Sequence, residues 1–317
     1  MKQPHVLPFE RPAADLQQRI KTLEPMVSNH PELAEPFERL QEAHQELEDR
    51  LIDDLTRWDK VLVSRHPQRP YTLDYAALSF EDFTELHGDR HFADDGAIVG
   101  GLAHLSGRNV MLIGTQKGRG TQQNMRRNFG MPRPEGYRKA LRLMRLAERF
   151  KLPIVTLIDT PGAYPGMGAE ERGQAEAIAF NLEAMMSLTV PVVCVVIGEG
   201  GSGGALAIGI GNHVHMLEHA VYSVISPEAA SAILYREQGR AQQAAEALRP
   251  TAQDLKALGV VDGIIDEPRG GAHKDHYAMA QALGDAICAS LDELSKLSDD
   301  ELVAQRVARF RKLGRTA

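Results

Sequence analysis

The stretch Pro191 to Gly211 reads PVVCVVIGEGGSGGALAIGIG. Its only chemically useful groups are main-chain amides, because no Ser-His, Cys-His or carboxylate pair sits in it. Val192 to Ile197 is apolar and β-branched, too short for an independent helix, and suits a buried strand. Six glycines follow by Gly209, and glycine lets another molecule approach the backbone closely. A helix starting near Gly203 leaves its first N–H groups without intrahelical acceptors, at the positive end of its dipole. Such a turn binds an anion or stabilises an oxyanion, with Gly203 and Gly204 as the donors. A close-packed strand-to-helix turn would need the same glycines.

Gly198, Gly200 and Gly203 also fit G-x-G-x-x-G, and Glu218 lies about twenty residues on, as in dinucleotide sites. Context argues against it: the helix would have to run through Gly209 and Gly211, and the motif does not open a first βαβ unit. Asp159-Thr160-Pro161-Gly162 resembles a magnesium-binding GTPase turn but lacks an upstream P-loop. Gly114 to Thr121 places a lysine among glycines without the Gly-Lys-Ser/Thr order. His87, Asp89 and His91 alternate, so on a strand they would share one face; with Asp94 and Asp95 nearby this is the one metal-like cluster. Loops rich in Asp, Gly and His are more often simply loops, and no metal is expected.

Nine basic residues lie between Lys117 and Arg145 against one acid, Glu135, a local excess of +8 within a chain of net charge −7. That density could meet phosphates or an acidic partner surface. A solvated helical face accounts for Lys139 and Arg142 if Leu141, Met144 and Ala147 point inward. Cys194 and Cys288 are the only cysteines, which excludes a disulfide framework and a Cys-rich zinc site. With 317 residues, 43% hydrophobic and 25% charged, the chain has an ordinary globular composition. It carries no run of about eighteen apolar residues and no leader-like N-terminus, so a cytoplasmic location is expected.

The elements that must position the turn follow in order. Leu16, Ile20, Leu23 and Met26 have helical spacing. A second helix, predicted from about Pro36, carries Phe37, Leu40, His44, Leu47, Leu51, Leu55, Trp58 and Val61 as a coiled-coil-like seam with one polar layer. Together they predict a helical arm over 1–66, ended by Pro67 and Pro70. Ala97 to Leu105 and Asn109 to Gly114 predict a hairpin. Strand, glycine turn and helix then recur four times, ending with AVYSVI, Ser226-Pro227-Glu228 and a helix from Ala229. This implies a parallel α/β core with its turns along one edge. The main domain is assigned to 67–293 and a helical tail to 294–317, with the charged segment Arg306 to Arg315 expected to fray.

Several longer words carry a family resemblance: RHPQRPYTLDY (65–75), GDR and DD (88–95), AIVGG (97–101), QKGR (116–119) and RRNFGMPRPEGYRKALRLM (126–144). They continue with IDTPGAYPG (158–166), GAEERGQ (168–174), VIGEGGSGGALAIG (196–209), YSVISPE (222–228) and GGAH (270–273). Together they resemble the alpha subunit of the bacterial acetyl-coenzyme A carboxylase carboxyltransferase, over nearly the whole chain. The resemblance implies a crotonase-like fold, a superhelix of ββα units, with an active site shared with a separate zinc-ribbon beta subunit in an α2β2 assembly. It implies transfer of a carboxyl group from carboxybiotin, tethered to a biotin carboxyl carrier protein, to acetyl-CoA, giving malonyl-CoA for fatty-acid synthesis. Biotin carboxylase would perform the earlier step.

That reaction places negative charge first on the ureido group of biotin and then on a thioester oxygen. Preorganised N–H donors stabilise each by ~3–4 kcal/mol per donor, and the ureido anion can itself take the α-proton, so no side-chain base is demanded. By resemblance, Gly203 and Gly204 hold the ureido oxygen, while Gly162, Ala163, Gly200 and Gly201 line the same pocket. Arg126, Arg127 and the rest of the basic stretch face the CoA phosphates or the beta subunit. Thr115 and Ala229-Ala230 depart from the family pattern of His and Gly-Cys. The rival readings are a crotonase-type hydratase or hydrolase acting alone through Glu199 or Glu228, and a non-enzymatic binding protein using the basic stretch.

Overall fold

The computed structural model describes residues 5–27 and 30–314. One sheet organises them, formed by β1 (Glu81–Glu85), β2 (Ile98–Leu105), β3 (Arg108–Thr115), β4 (Ile154–Thr160), β5 (Val192–Gly201), β6 (His213–Leu217), β7 (Val221–Ser223) and β8 (Gly263–Ile265). Their order is β1-β2-β3-β4-β5-β6-β8, with β7 paired to the far end of β5. The first two pairings are antiparallel and the others parallel. Ser106 (φ +49°) and Gly107 (φ +78°) close the β2–β3 hairpin, the pair of positive φ values that a two-residue type I′ turn requires.

The centre of the sheet is β4 and β5. Every residue of β4 is buried, as are the first seven of β5, which is why β5 reads as a continuous apolar run and β4 as one interrupted by Thr156 before Asp159. Each Val or Ile removed from water there contributes ~1.5–3 kcal/mol. Helix Pro134–Arg149 covers one face, burying Tyr137, Ala140, Leu143, Met144 and Ala147. Gly100 of β2 approaches Leu143 on that side, while Leu105, of opposite parity, approaches Gly284 of helix His276–Leu294.

The arm differs from the sequence expectation. Helix Arg11–Val27 pairs with helix Ala34–Asp53, and only His44 of the predicted seam is buried within that second helix. Its Nε2 lies 3.1 Å from the Ala13 carbonyl, joining the two helices. The seam does not run on to Val61, because Thr56 begins a new helix, Arg57–Ser64, with a reciprocal Thr56–Asp59 capping box. Helix Arg57–Ser64 lies against the body: Arg57 makes a two-pronged pair with Asp254 at 2.7 Å.

One further expectation holds and one is corrected. His87, Asp89 and His91 lie on a loop, where Asp89 Oδ1 accepts the His91, Phe92 and Ala93 amides; a strand would have left those donors to a neighbour. Arg306 does not fray. It is fully buried in helix Asp299–Lys312 and donates to the Met185, Leu188 and Val190 carbonyls and to Asn212. Arg315 lies outside the described residues.

Candidate active site at the ends of β4 and β5

β4 and β5 run side by side in parallel, and the site forms where they end. Their register is even up to Ile158↔Val196, then resumes at Thr160↔Gly200, so β5 carries two extra residues there. Asp159 fills this bulge: its Oδ1 accepts the Glu199 amide at 2.9 Å. A β-carbon on Gly198 would fall 2.5 Å from that oxygen, so only glycine admits the carboxylate.

Beyond the bulge the two turns pack backbone to backbone. A β-carbon on Gly201 would lie 2.1 Å from the Pro161 carbonyl oxygen, and one on Gly204 would lie 2.4 Å from the Ala163 nitrogen. Gly203 is different: its β-carbon would meet only Ile178, at 3.8 Å. Gly203 and Gly204 are the second and third residues of the short helix Ser202–Leu206, so neither amide has an intrahelical acceptor. Gly162 is already engaged, its N–H donating to Thr160 Oγ1 at 3.1 Å. The turns thus bring together three amides without acceptors among the described residues: Ala163, Gly203 and Gly204. Gly200 packs over the Tyr222 ring. Ser202, which the sequence reading passed over, is exposed at φ +51° between the two glycine pairs.

The carboxylates near this turn are neutralised. Lys117 donates to Asp159 at 2.7 Å and to Glu199 at 2.8 Å. Arg65 donates to Glu199 at 2.6 Å and pairs with Glu228 through both terminal nitrogens. Burial alone would raise the Glu199 pKa; Lys117 and Arg65 override it and hold the group at about 2. Glu228 is likewise held below its usual range, chiefly by Arg65 against burial. A general base needs a pKa near the working pH, and neither carboxylate has one.

Most of the basic stretch is engaged in the same way. Arg119 pairs with Asp74, Arg138 with Glu176, and the buried Lys139 with Asp94. Arg142 donates to the Gly88 and His87 carbonyls, and Arg127 donates to the Gly96 carbonyl at 2.7 Å. Lys139 is therefore no solvated position, and Leu143 rather than Leu141 completes the inward stripe. Arg126 and Arg145 are exposed without a side-chain partner among the described residues, and Arg126 is flanked by exposed Met125 and Phe129. The segment following Arg126 abuts the β4 turn, since the Tyr164 amide donates to the Pro132 carbonyl. The departure at Thr115 is structural: its hydroxyl accepts the Asp159 amide at 2.6 Å. Among the described residues no group of three metal-ligating side chains occurs, and no helix is long and apolar enough to cross a membrane.

The parallel-centred sheet, with its turns gathered where β4 and β5 end, is that of the crotonase-like carboxyltransferases. Three solved structures share that fold. Transcarboxylase 12S superposes with TM-score 0.58 at 22% identity over 72% of this chain, which spans 42% of that chain. The geranyl-CoA carboxylase beta subunit of P. aeruginosa gives 0.53 at 21%, covering 75% of this chain and 46% of that one. A chain of a Pseudomonas malonate decarboxylase hetero-tetramer in complex with coenzyme A gives 0.56 at 18%, covering 69% and 90%. The family model described as acetyl co-enzyme A carboxylase carboxyltransferase-like matches residues 6–314. Acetyl-coenzyme A carboxylase carboxyl transferase subunit alpha of Geobacter metallireducens is 54% identical over all of both chains. That of Bordetella pertussis is 56% identical over 98% of this chain and 97% of its own. The chain belongs to the acetyl-coenzyme A carboxylase carboxyltransferase-like family.

Proposed function

We propose that this chain is the alpha half of a carboxyltransferase that moves a carboxyl group from carboxybiotin to acetyl-CoA, giving malonyl-CoA. The observation that carries the reading is the convergence of the Ala163, Gly203 and Gly204 amides beside an opening left at Gly203. The Ala163, Gly203 and Gly204 amides would hold the ureido oxygen of carboxybiotin, which would supply the carboxyl group and a base for the α-proton. Donors fixed before the reaction need no reorganisation as charge develops, which is why each is worth ~3–4 kcal/mol. Gly200 and Gly201 shape the floor of the pocket, and Gly162 holds its neighbour Ala163 in place. The fit to a planar ureido oxygen rests on these free donors and on the open space at Gly203.

The rest of the site is proposed to come from a zinc-ribbon beta subunit, in an α2β2 enzyme working in the cytoplasm with a biotin carboxyl carrier protein and biotin carboxylase. Arg126, free and exposed in the segment that leads to Pro132 at the β4 turn, is the residue of the basic stretch best suited to a CoA phosphate or to that subunit. The lone-acting hydratase reading loses ground because Glu199 and Glu228 are fixed as ion-pair acceptors. The test is exchange between malonyl-CoA and biotin: chain plus beta subunit turns over, and each alone does not. Turnover by this chain alone, or none from the pair, rejects the proposal.

A further inference from the structure

Lys117 stands at the junction of the two turns without touching either set of amides. Its side chain is only 14% exposed, and its Nζ bridges Asp159 Oδ1 and Glu199 Oε2. Those carboxylates sit at the point where β4 and β5 lose register. Gly130, at φ +76°, closes over the Lys117 stem, where a β-carbon would come within 2.6 Å of Cγ. Four chain segments therefore meet on one side chain: the turn after β3, the ends of β4 and β5, and the 128–130 turn. Resting on the proposed function, we infer that Lys117 is a positioning residue, neutralising Asp159 and Glu199 so that the Ala163 and Gly203–Gly204 amides keep the spacing of the oxyanion pocket.

Fold stability alone does not explain a lysine here, since a buried ion pair is often no better than well-packed apolar side chains. What an apolar residue could not do is hold two carboxylates together. Without the Lys117 ammonium, Asp159 and Glu199 oxygens face each other across no more than about 6 Å, a separation at which like charges disfavour joint ionisation. They relax either by moving the turns apart or by taking up a proton. Arg65 remains on Glu199 and pulls it toward Glu228, away from Asp159. The other charged or titratable groups lining the pocket at Lys117 are Tyr71, Arg119 paired with Asp74, His273 and His276, while Arg69, paired with Glu267, and Tyr75 act on Asp159 electrostatically.

The test uses the full chain reconstituted with its beta subunit, following malonyl-CoA–biotin exchange from mildly acidic to alkaline pH. In K117M, kcat at alkaline pH falls by about 10- to 100-fold, the cost of a misplacement near 1 Å, with KM little changed. The rate recovers as pH falls, because one proton replaces the missing positive charge; the wild type shows no such limb. K117M/E199Q, which removes one charge of each sign, regains most of the lost rate and loses the pH limb, and serves equally if K117M alone assembles poorly. A K117M enzyme with wild-type rate and pH profile, or a double variant as impaired as K117M, overturns the inference. Wild-type exchange is the control, so failure of the proposed function appears there and failure of this inference only in the variants.

Discussion

Gly204 and Ala163 touch through their backbones: a β-carbon on Gly204 would sit 2.4 Å from the Ala163 nitrogen. Gly204→Ala must therefore part the two turns. We expect it to destabilise the chain by ~1–3 kcal/mol, as overpacking does, measured by denaturant unfolding, and to lower exchange as well.

Gly203→Val separates chemistry from folding. The new side chain enters space bounded only by Ile178 at 3.8 Å, and Gly203 has no positive φ to forbid it. Unfolding and assembly with the beta subunit stay near wild type, while exchange falls by about 10²–10³, because the side chain fills the space the oxyanion must occupy although the residue-203 amide remains. Retained exchange would remove Gly203 from the mechanism.

Arg126 and Arg127 are neighbours with opposite roles. Arg126→Glu reverses a free surface charge, so stability changes by less than about 0.5 kcal/mol, whereas KM for the CoA substrate or affinity for the beta subunit worsens and becomes less salt-sensitive. Arg127→Ala strips the Gly96 carbonyl of its donor and costs ~1–3 kcal/mol of stability. Equal unfolding curves for both variants would contradict this division.

Acid stability should follow Glu267. This carboxylate is sealed under Arg69, which donates to it twice at 2.7 Å, and it also accepts the His219 and Ala272 amides. Despite burial, which acts upward, Arg69 holds it at about 2, below its ordinary 4.5. A depressed carboxylate stabilises the fold fully above the unfolded value and loses that contribution as pH falls through the folded one. Unfolding free energy should therefore decline between about pH 4.5 and pH 2, and Glu267→Gln should flatten that decline.

Arg306→Met tests the C-terminal helix. Removing the guanidinium takes the side-chain donor from three buried carbonyls and leaves the Asn212 oxygen with the Val192 amide alone. We expect destabilisation of ~1–3 kcal/mol for each buried acceptor left without a donor, seen as a lower denaturant midpoint.

The glycine turns and the apolar runs of β4 and β5 were legible because both sequence signals are local: continuous burial gives Val192–Ile197, and backbone contact demands glycine at Gly201 and Gly204. β1, β6 and β8 were not. β6 reads HVHML, whose histidines are half-buried, and β8 has three residues; pairing, not propensity, makes them strands. The break at Asp54–Thr56 was readable in the Thr56-x-x-Asp59 signature but was masked by the helical spacing of Leu51, Leu55 and Trp58. The basic stretch looked like a surface because its counter-charges, Asp74, Asp94, Asp159 and Glu199, lie far away in sequence. For the same reason the ionic cluster around Lys117 could not be assembled from spacing.

The distance between Arg65 and Glu228, 163 residues, has a consequence for how the protein is made. During synthesis the arm and its arginine leave the ribosome long before Glu199, and Glu228 follows later still. Until Glu199 emerges Lys117 lacks one of its two carboxylates, and until Glu228 emerges Arg65 lacks one of its own, so the pocket is among the last parts of the body to take shape. A nascent chain stalled before helix Pro227–Tyr235 would hold a formed hairpin beside an unfinished cleft, and protease digestion of such stalled chains would find the glycine turn open to cleavage.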